Sequence, residues 1–264
     1  MMQNYINRQV ILIVLGLLLA LGVKAQDKTI HTSNKTSSTS VNTKHKIMLI
    51  PFENRMYMSE IDFAINKETK LNAKQIKAQM RDGLNEQFYK KFKPKMGVVD
   101  MLDDTVKTQK DLNSIYQYLT YQYVRVPDQA HYKPPVKDKE EKAIQNGQIT
   151  VETNTDERFM NAKLKNSTLV PYLYGKYKTD LFLFLNELDI KSFNAIPGDI
   201  SSIQTRKIIL HYTVYTFDAR EINSGVAEID LPLNVNHPSK ISQVYFSKLA
   251  ETVLARVEKA LLPK

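Results

Sequence analysis

The sequence predicts an α/β domain built on a mixed sheet, and three features indicate this. Short apolar segments of the kind that form buried strands alternate with longer segments in which apolar residues recur at helical spacing. A turn-rich stretch, residues 218–225, separates two of the strand-like segments and predicts an antiparallel hairpin. We therefore expect the order β-α-β-α, an insertion and then β-β-β-α, giving a five-stranded sheet flanked by amphipathic helices.

Two strand–helix pairs are expected in the first half of the chain. Residues 46–52 (KIMLIPF) form a short apolar run that predicts a buried strand. Residues 72–92 predict the clearest helix, since apolar side chains recur every four residues along one stripe and Pro94 follows. Residues 97–101 predict the second strand, and residues 106–123 predict the second helix.

Residues 127–160 interrupt this pattern. Three prolines, a charged KDKEEK run and almost no periodicity predict a surface insertion, with a short hairpin near residues 148–152. A weak helical pattern follows over residues 159–173, although Pro171 interrupts it. Residues 46–264 are thus expected to form a single domain that carries a surface excursion.

The second half is expected to contribute three strands and the last helix. Residues 181–190 (LFLFLNELDI) predict a central strand whose start is buried on both faces. Residues 208–217 and 226–235 predict two more strands, which are the arms of the hairpin. Pro238 suits the first turn of a helix, and the apolar stripe that follows it continues to Leu261.

The first 25 residues have the layout of a secretory signal peptide. Arg8 precedes an apolar run of 13 residues, and the small residues Val23 and Ala25 stand at the positions of a cleavage site. A helix of that length rises about 20 Å, less than the roughly 30 Å of a bilayer core, which favours a cleaved signal over the alternative of a membrane anchor. Residues 26–45 are polar and rich in Ser, Thr and Asn, and they predict a flexible spacer.

Composition excludes several classes of chemistry. The 264 residues include no cysteine, which rules out disulfides, thiolate zinc sites, iron–sulfur clusters and cysteine nucleophiles. The glycines after the signal are too far apart for a phosphate-binding loop, and no G-x-S-x-G motif is present. None of the five histidines has metal-ligand spacing, and His211, within a predicted strand, is interpreted as structural. We therefore expect no cofactor and no metal.

An acidic pair, Glu60 and Asp62, follows the first predicted strand. Ligands often bind at the carboxyl end of a parallel strand, so residues 53–62 are a candidate binding loop with exposed apolar residues. The alternative is a loop whose apolar residues pack onto the edge of the sheet. The candidate side chains of this loop are Met56, Tyr57, Met58, Glu60 and Asp62.

Basic charge is concentrated in residues 67–95, which hold nine Lys or Arg against three Asp or Glu. Helical spacing would place Lys70, Lys74, Lys77 and Arg81 on one face, away from the apolar stripe. Such a face could bind an anionic surface or an acidic partner. The alternative is an ordinary solvated helix face.

Tyrosines cluster at the end of the second predicted helix. Tyr118 and Tyr121 would point away from its apolar stripe, so both are candidate partner-binding residues. Exposed tyrosines are enriched at protein interfaces. They also occur as ordinary amphipathic surface cover, and this alternative stays open.

The opening segment KIMLIPFEN resembles the first strand of the curli-secretion-channel (CsgG) and TolB amino-terminal families. An amphipathic helix, the strand within residues 177–185, the turn from Asp218 to Gly225 and a C-terminal amphipathic helix follow in the order of those families. The likeness covers residues 46–126 and 168–262 and implies a non-enzymatic assembly, channel or regulator protein of the bacterial envelope. The chain lacks their lipobox cysteine, and no strand pair suited to membrane insertion stands out, so neither a lipid anchor nor a channel carries over.

Two functions remain open on the sequence alone. The first is an exported, non-enzymatic module, periplasmic or outer-membrane-associated, that binds an envelope protein or an anionic envelope surface. The apolar run and the Ala-Gln junction at the N-terminus resemble signal peptides of the Bacteroidetes, which implies that location. Export makes nucleic acid a poor candidate partner. The alternative is an exported hydrolase with a carboxylate site in residues 53–62.

Overall fold

A mixed sheet with helices on both faces organises the molecule. The computed structural model describes residues 45–103, 105–127, 144–145, 148–149, 158–194 and 204–262. The predicted signal peptide, the predicted spacer apart from His45, and most of the predicted insertion lie outside the described residues. The hairpin expected near residues 148–152 falls there too, except for its first two residues.

The helices and strands follow one another in nearly the predicted order. The strands are β1 (Lys46–Ile50), β2 (Tyr57–Ser59), β3 (Gly97–Asp100), β4 (Leu119–Arg125), β5 (Ile144–Gln145), β6 (Gln148–Ile149), β7 (Arg158–Leu164), β8 (Leu181–Asn194), β9 (Gln204–Thr216) and β10 (Glu221–Leu231). The α-helices are α1 (Asp62–Thr69), α2 (Ala73–Phe92), α3 (Thr105–Tyr118), α4 (Leu169–Tyr177), α5 (Pro238–Lys240) and α6 (Ser247–Ala260). A π-helical segment, Ile241–Phe246, joins α5 to α6, and the three together are called the C-terminal helix.

The long strand β8 pairs along both of its edges. On one edge it runs parallel to β1 in its first half and parallel to the short β2 in its second half. On the other edge it is antiparallel to β9, which forms the predicted hairpin with β10. Because β3 completes the order β10-β9-β8-β1-β3, the predicted five-stranded mixed sheet is confirmed, with β2 as a short sixth strand.

Side chains of β1 show how the sheet separates two cores. Ile47 and Leu49 pack with α2 and the C-terminal helix, whereas Met48 and Ile50 pack with α3 and α4 on the opposite face. Successive side chains of a strand point to opposite faces, so an uninterrupted apolar run is what a strand covered on both sides requires. The sheet is therefore the middle of three layers.

The chain departs from prediction where β4 begins. The helix expected over residues 106–123 ends at Tyr118, and residues 119–125 form a strand that pairs antiparallel with β7. The helix expected from residue 159 is wrong for the same reason, since residues 158–164 form β7 and the helix α4 starts only at Leu169. Pairing between segments so distant in sequence overrides a weak local helical pattern.

Part of the ribbon formed by β4 and β7 packs on the sheet face that β8, β9 and β10 present. Val126 and Phe159 are buried in a small apolar cluster with Val226 of β10. The predicted insertion therefore ends before Arg158 and not at residue 160, because β7 already belongs to the packed structure. Among the residues that the structure describes, no helix is long and apolar enough to cross a membrane.

A close approach between α2 and the C-terminal helix depends on Gly83. A Cβ atom there would lie 2.7 Å from Ser242 Oγ, which donates a 3.0 Å hydrogen bond to the Gly83 carbonyl oxygen. We expect Gly83→Ala to lower the free energy of unfolding by about 1–3 kcal/mol in urea titrations, because overpacking outweighs the better helix propensity of alanine. Gly175→Ala in α4 is the control, since nothing lies within 4 Å of its added Cβ. Equal stability of the two variants would contradict this packing.

Candidate functional site

A surface cleft of about 450 Å³ lies between β2, the first turns of α2 and the second half of β8. It sits where the parallel strand β2 ends, which is the kind of position at which α/β sheets bind ligands. Its lining residues are Tyr57, Met58, Ser59, Glu60, Asp62, Ala73, Lys77, Ile190 and Lys191. Two sequence-predicted groups thus meet here, since the lining includes the acidic pair Glu60 and Asp62 and one of the four basic candidates, Lys77.

The acidic pair lines the cleft, but each carboxylate also has a structural partner. Glu60 Oε2 accepts a 2.7 Å hydrogen bond from the backbone N–H of Ser192, which extends the pairing of β2 with β8. Asp62 is the first residue of α1, and its Oδ1 accepts a 2.7 Å hydrogen bond from the Tyr57 hydroxyl. Both carboxylates therefore fix the chain around the cleft.

The segment expected to be a loop is folded into regular structure. Residues 54–56 form a 3₁₀ turn, β2 follows at once, and Asp62 starts α1. Met56 and Tyr57 are only 7% and 6% exposed, so the prediction that they are exposed is wrong, whereas Met58 is 52% exposed. Burial raises the pKa of the Tyr57 hydroxyl above its usual range. Packing onto the sheet, the alternative considered above, describes Met56 and Tyr57 correctly.

The four basic candidates do not form one stripe. Lys70 lies beyond the end of α1, with a φ of 62°, and is not part of α2 at all. Lys74 is exposed on the first turn of α2, and Lys77 lies on the next turn with its Nζ 5.9 Å from the centre of the Tyr57 ring. Arg81 is half-buried and donates 2.9 Å and 3.0 Å hydrogen bonds to the Phe52 carbonyl and the Tyr116 hydroxyl. Of the four, only Lys77 lines the cleft.

The two candidate tyrosines are separated by the end of α3. Tyr118 is 45% exposed at the last residue of the helix. Tyr121 is on β4 instead, where it packs against both cores, and burial raises its pKa above the usual range. Tyr121 is therefore structural in its contacts, and the predicted helical pair of exposed tyrosines is wrong.

A polar cluster that the sequence did not single out lies on the other face of the sheet. Glu187 and Asp189 of β8 face His211 of β9, and their side chains are only 2%, 3% and 5% exposed. His211 Nε2 lies 3.8 Å from Glu187 Oε1 and 3.7 Å from Asp189 Oδ2. The sequence did contain one signal of this cluster, because Glu187 and Asp189 stand at alternate positions of a strand predicted to be buried. Acidic residues are rarely buried without partners.

A bulge in β8 creates this cluster. The β8–β9 register shifts between Leu185 and Glu187. Before the shift the odd-numbered side chains of β8 face α2, and after it the even-numbered ones do. Leu188 and Ile190 consequently join the core beneath α2, and Glu187 and Asp189 point the other way. An extra residue that turns polar side chains inward cannot be read from local apolar spacing.

The two buried carboxylates differ in their environments. Burial, followed by the charge of neighbouring Asp189, raises the pKa of Glu187. Burial acts the same way on Asp189, but the His211 ring and the Lys191 ammonium, 2.7 Å away, outweigh it and hold the pKa of Asp189 below its usual range. The two carboxyl groups of the cluster thus have pKa values shifted in opposite directions.

No protein-family model matches the sequence, and a search of curated proteins finds no match either. The resemblance to the curli-secretion-channel and TolB amino-terminal families therefore stays a prediction. Function has to be argued from the cleft, the cluster and the surfaces of the fold itself.

Proposed function

We propose that this chain is an exported, non-enzymatic module of the bacterial envelope that binds an acidic segment of a protein partner in the cleft beside β2. The observation that carries this proposal is that Lys77 lines the cleft without a carboxylate partner in the described part of the chain. Its ammonium group lines the cleft, and no carboxylate of the described residues lies within ion-pair distance of it. An unpaired cation beside a partly apolar floor suits a ligand that combines a carboxylate with an apolar side chain.

The apolar part of the cleft comes from three side chains. Met58 is half exposed and Ala73 is exposed beside it, whereas the third, Ile190, is fully buried beneath them and presents no surface of its own. Phe63, the residue after Asp62, is 81% exposed, which is the greatest exposure of any large apolar side chain among the described residues. Exposed apolar side chains next to a groove are typical of protein-binding surfaces.

A protein segment is favoured over a flat anionic membrane by the positions of the basic residues. Membrane binding gains from several cations that reach one plane together. Here Lys70 lies off the helix and Arg81 is occupied by the Phe52 carbonyl and the Tyr116 hydroxyl, so the predicted stripe does not present four charges at once. Of the two lysines that line the groove, Lys191 is paired with Asp189 at 2.7 Å, so Lys77 is left for a ligand group that can enter the groove.

The hydrolase alternative has less support. General acid–base chemistry needs carboxylates that can meet a substrate proton. Glu60 and Asp62 line the cleft, but one holds the Ser192 amide and the other holds the Tyr57 hydroxyl. Both roles are explained by the local fold.

Reversing the charge of Lys77 is expected to weaken binding of an acidic partner. An extended synthetic peptide that alternates Glu with Leu serves as the probe, and its affinity is measured by fluorescence anisotropy. We expect Lys77→Glu to reduce the affinity about tenfold, which corresponds to about 1.4 kcal/mol. Lys248→Glu, on the exposed face of α6, makes the same charge change away from the cleft and should leave the affinity unchanged.

The same variants decide whether the partner is a protein or a lipid surface. A photo-crosslinking residue at Met58, used in cells of the native organism, should capture a partner whose yield falls with Lys77→Glu and not with Lys248→Glu. Val244, 41% exposed in the π-helical segment, is the control crosslinking position. Equal capture from both positions, or binding to anionic vesicles with no binding of the peptide, would contradict the proposal.

A further inference from the structure

The ribbon of β4 and β7 is attached to the main sheet through its outer edge. One edge of β7 pairs with β4, and the other edge is hydrogen-bonded by side chains that project from the face of β8 and β9. The Met160 N–H donates to His211 Nδ1 at 2.9 Å, and the Met160 carbonyl accepts from Asn186 Nδ2 at 2.8 Å. His211 is thus both a member of the buried cluster and an anchor for β7.

The hydrogen bond to Met160 determines where the ring proton of His211 resides. A ring nitrogen that accepts a hydrogen bond carries no proton, so the neutral ring is protonated on Nε2. Nε2 is the atom that faces Glu187 and Asp189, and it has no hydrogen-bond partner in the described structure. The ring therefore directs an N–H group at two carboxylates.

The cluster has residue types that could hold a metal ion. Ligand atoms of Glu187, Asp189 and His211 all lie within 4.8 Å of one another. A metal needs the lone pair of Nε2, and a metal-bound histidine donates its other ring N–H to an acceptor. Here the other nitrogen faces the Met160 N–H, which is a donor. The orientation of the ring favours a proton over a metal.

We propose that Glu187, Asp189 and His211 form a proton-binding site that controls how firmly β7 is held to the sheet. With one ring proton, Nδ1 of His211 accepts the Met160 amide and the edge of β7 is anchored. A second proton, taken from solvent, has to occupy Nδ1, because Nε2 is already protonated. Two N–H groups then face each other, and the anchoring hydrogen bond is lost.

The charged groups around the ring set the direction of this response. The carboxyl groups of Glu187 and Asp189, 3.8 Å and 3.7 Å from Nε2, favour a positively charged ring, and the opposite shifts of their pKa values make Asp189 the stronger of the two. Lys191 opposes it from the end of β8. Tyr123 of β4 contributes a neutral hydroxyl 3.3 Å from Glu187 Oε1. Lower pH should therefore charge the ring and release Met160, and higher pH should restore the contact.

The ring state can be measured directly in the unmodified protein. Long-range ¹H–¹⁵N correlation spectra of the folded chain report which nitrogen of His211 carries the proton. At about pH 8, above the range in which histidine usually titrates, we expect the Nε2–H form. As the pH is lowered the ring should become doubly protonated, and the Met160 amide resonance should shift with the same midpoint. An Nδ1–H ring at high pH, or a Met160 amide that ignores the titration, would overturn the proposal.

Two isosteric variants test the role of the carboxylates. Asp189→Asn should lower the midpoint of the His211 and Met160 transition by roughly one pH unit, and Glu187→Gln should lower it less. Glu251→Gln on α6 removes an exposed carboxylate on the opposite face and should leave the midpoint unchanged.

Metal addition supplies an independent outcome. Zn²⁺ or Mn²⁺ added to the native chain should leave its melting temperature and the His211 resonances unchanged. A saturable rise in melting temperature that disappears in Glu187→Gln would assign the cluster to a metal and overturn the proton site.

Discussion

Leu183→Asp is expected to abolish the cooperative unfolding transition of this protein. Leu183 is completely buried near the start of β8, the central strand of the sheet, opposite Leu49 on β1 and Val214 on β9. An unpaired carboxylate there loses its hydration and gains no partner, at a cost of about 3–5 kcal/mol, before the lost apolar contacts are added. A domain with a typical stability of about 5–15 kcal/mol has little left after such a loss.

The measurement is a thermal melt followed by far-UV circular dichroism, with a matched change in the same strand. Phe193→Asp introduces the same carboxylate at a position that is 43% exposed near the end of β8. That variant should melt within a few degrees of the wild type, since exposed substitutions change stability little. A normal melt for Leu183→Asp would show that this strand is not at the centre of the sheet.

Thr213→Val is expected to lower the free energy of unfolding by about 3 kcal/mol although the two side chains have nearly the same shape. The Thr213 hydroxyl donates to Asn161 Oδ1 at 2.7 Å, and it accepts from Asn186 Nδ2 at 2.7 Å and from the Ala162 N–H at 3.2 Å. Removing one buried oxygen thus leaves Asn161 Oδ1 and the Ala162 N–H without a partner, whereas Asn186 Nδ2 keeps its hydrogen bond to the Met160 carbonyl. Each orphaned group costs about 1–3 kcal/mol.

Urea titrations of paired variants test that expectation. Thr205→Val changes an exposed threonine on the same strand β9 and should alter stability by less than about 0.5 kcal/mol. Thr213→Ser keeps the hydroxyl and should recover most of the loss. A Thr213→Val variant as stable as Thr205→Val would mean that the hydroxyl does not hold the ribbon to the sheet.

The elements that could be predicted are those whose periodicity is complete within one segment. The apolar stripe of α2 and the apolar runs of β1 and β8 are sufficient to predict a helix and two strands. The surfaces on which they pack only have to be apolar, so no particular partner has to be known. The same holds for the β9–β10 hairpin, whose arms are joined by a short turn. Fold class follows from such local patterns.

The rest depended on contacts between distant residues. β4 pairs with β7, and between Arg125 and Arg158 the chain offers no periodicity that would connect them. The local pattern therefore predicts Tyr121 on a helix and at the surface, although it belongs to a strand and is packed against two cores. Pairing between strands so far apart in sequence depends on the sheet face on which they pack, and local propensity does not determine it.

The site was predicted in part for the same physical reason. Glu60, Asp62 and Met58 are expected in a loop after β1, but they line a cleft at the end of β2, a strand that the sequence pattern does not predict. Arg81 could not be excluded from the basic face, because its partners, the Phe52 carbonyl and the Tyr116 hydroxyl, belong to other elements. The His211 cluster depended on the register shift after Leu185, which no spacing rule reports.

The side-chain anchoring of β7 also has a consequence for self-association. An open strand edge is a template on which another chain can add a strand, and this is a common route to aggregation. On β7 the two N–H and two C=O groups of Met160 and Ala162 are already bonded to His211, Asn186, Thr213 and Tyr215. That edge can recruit no strand while those side chains hold it, so the β7 side of the ribbon is closed to strand addition.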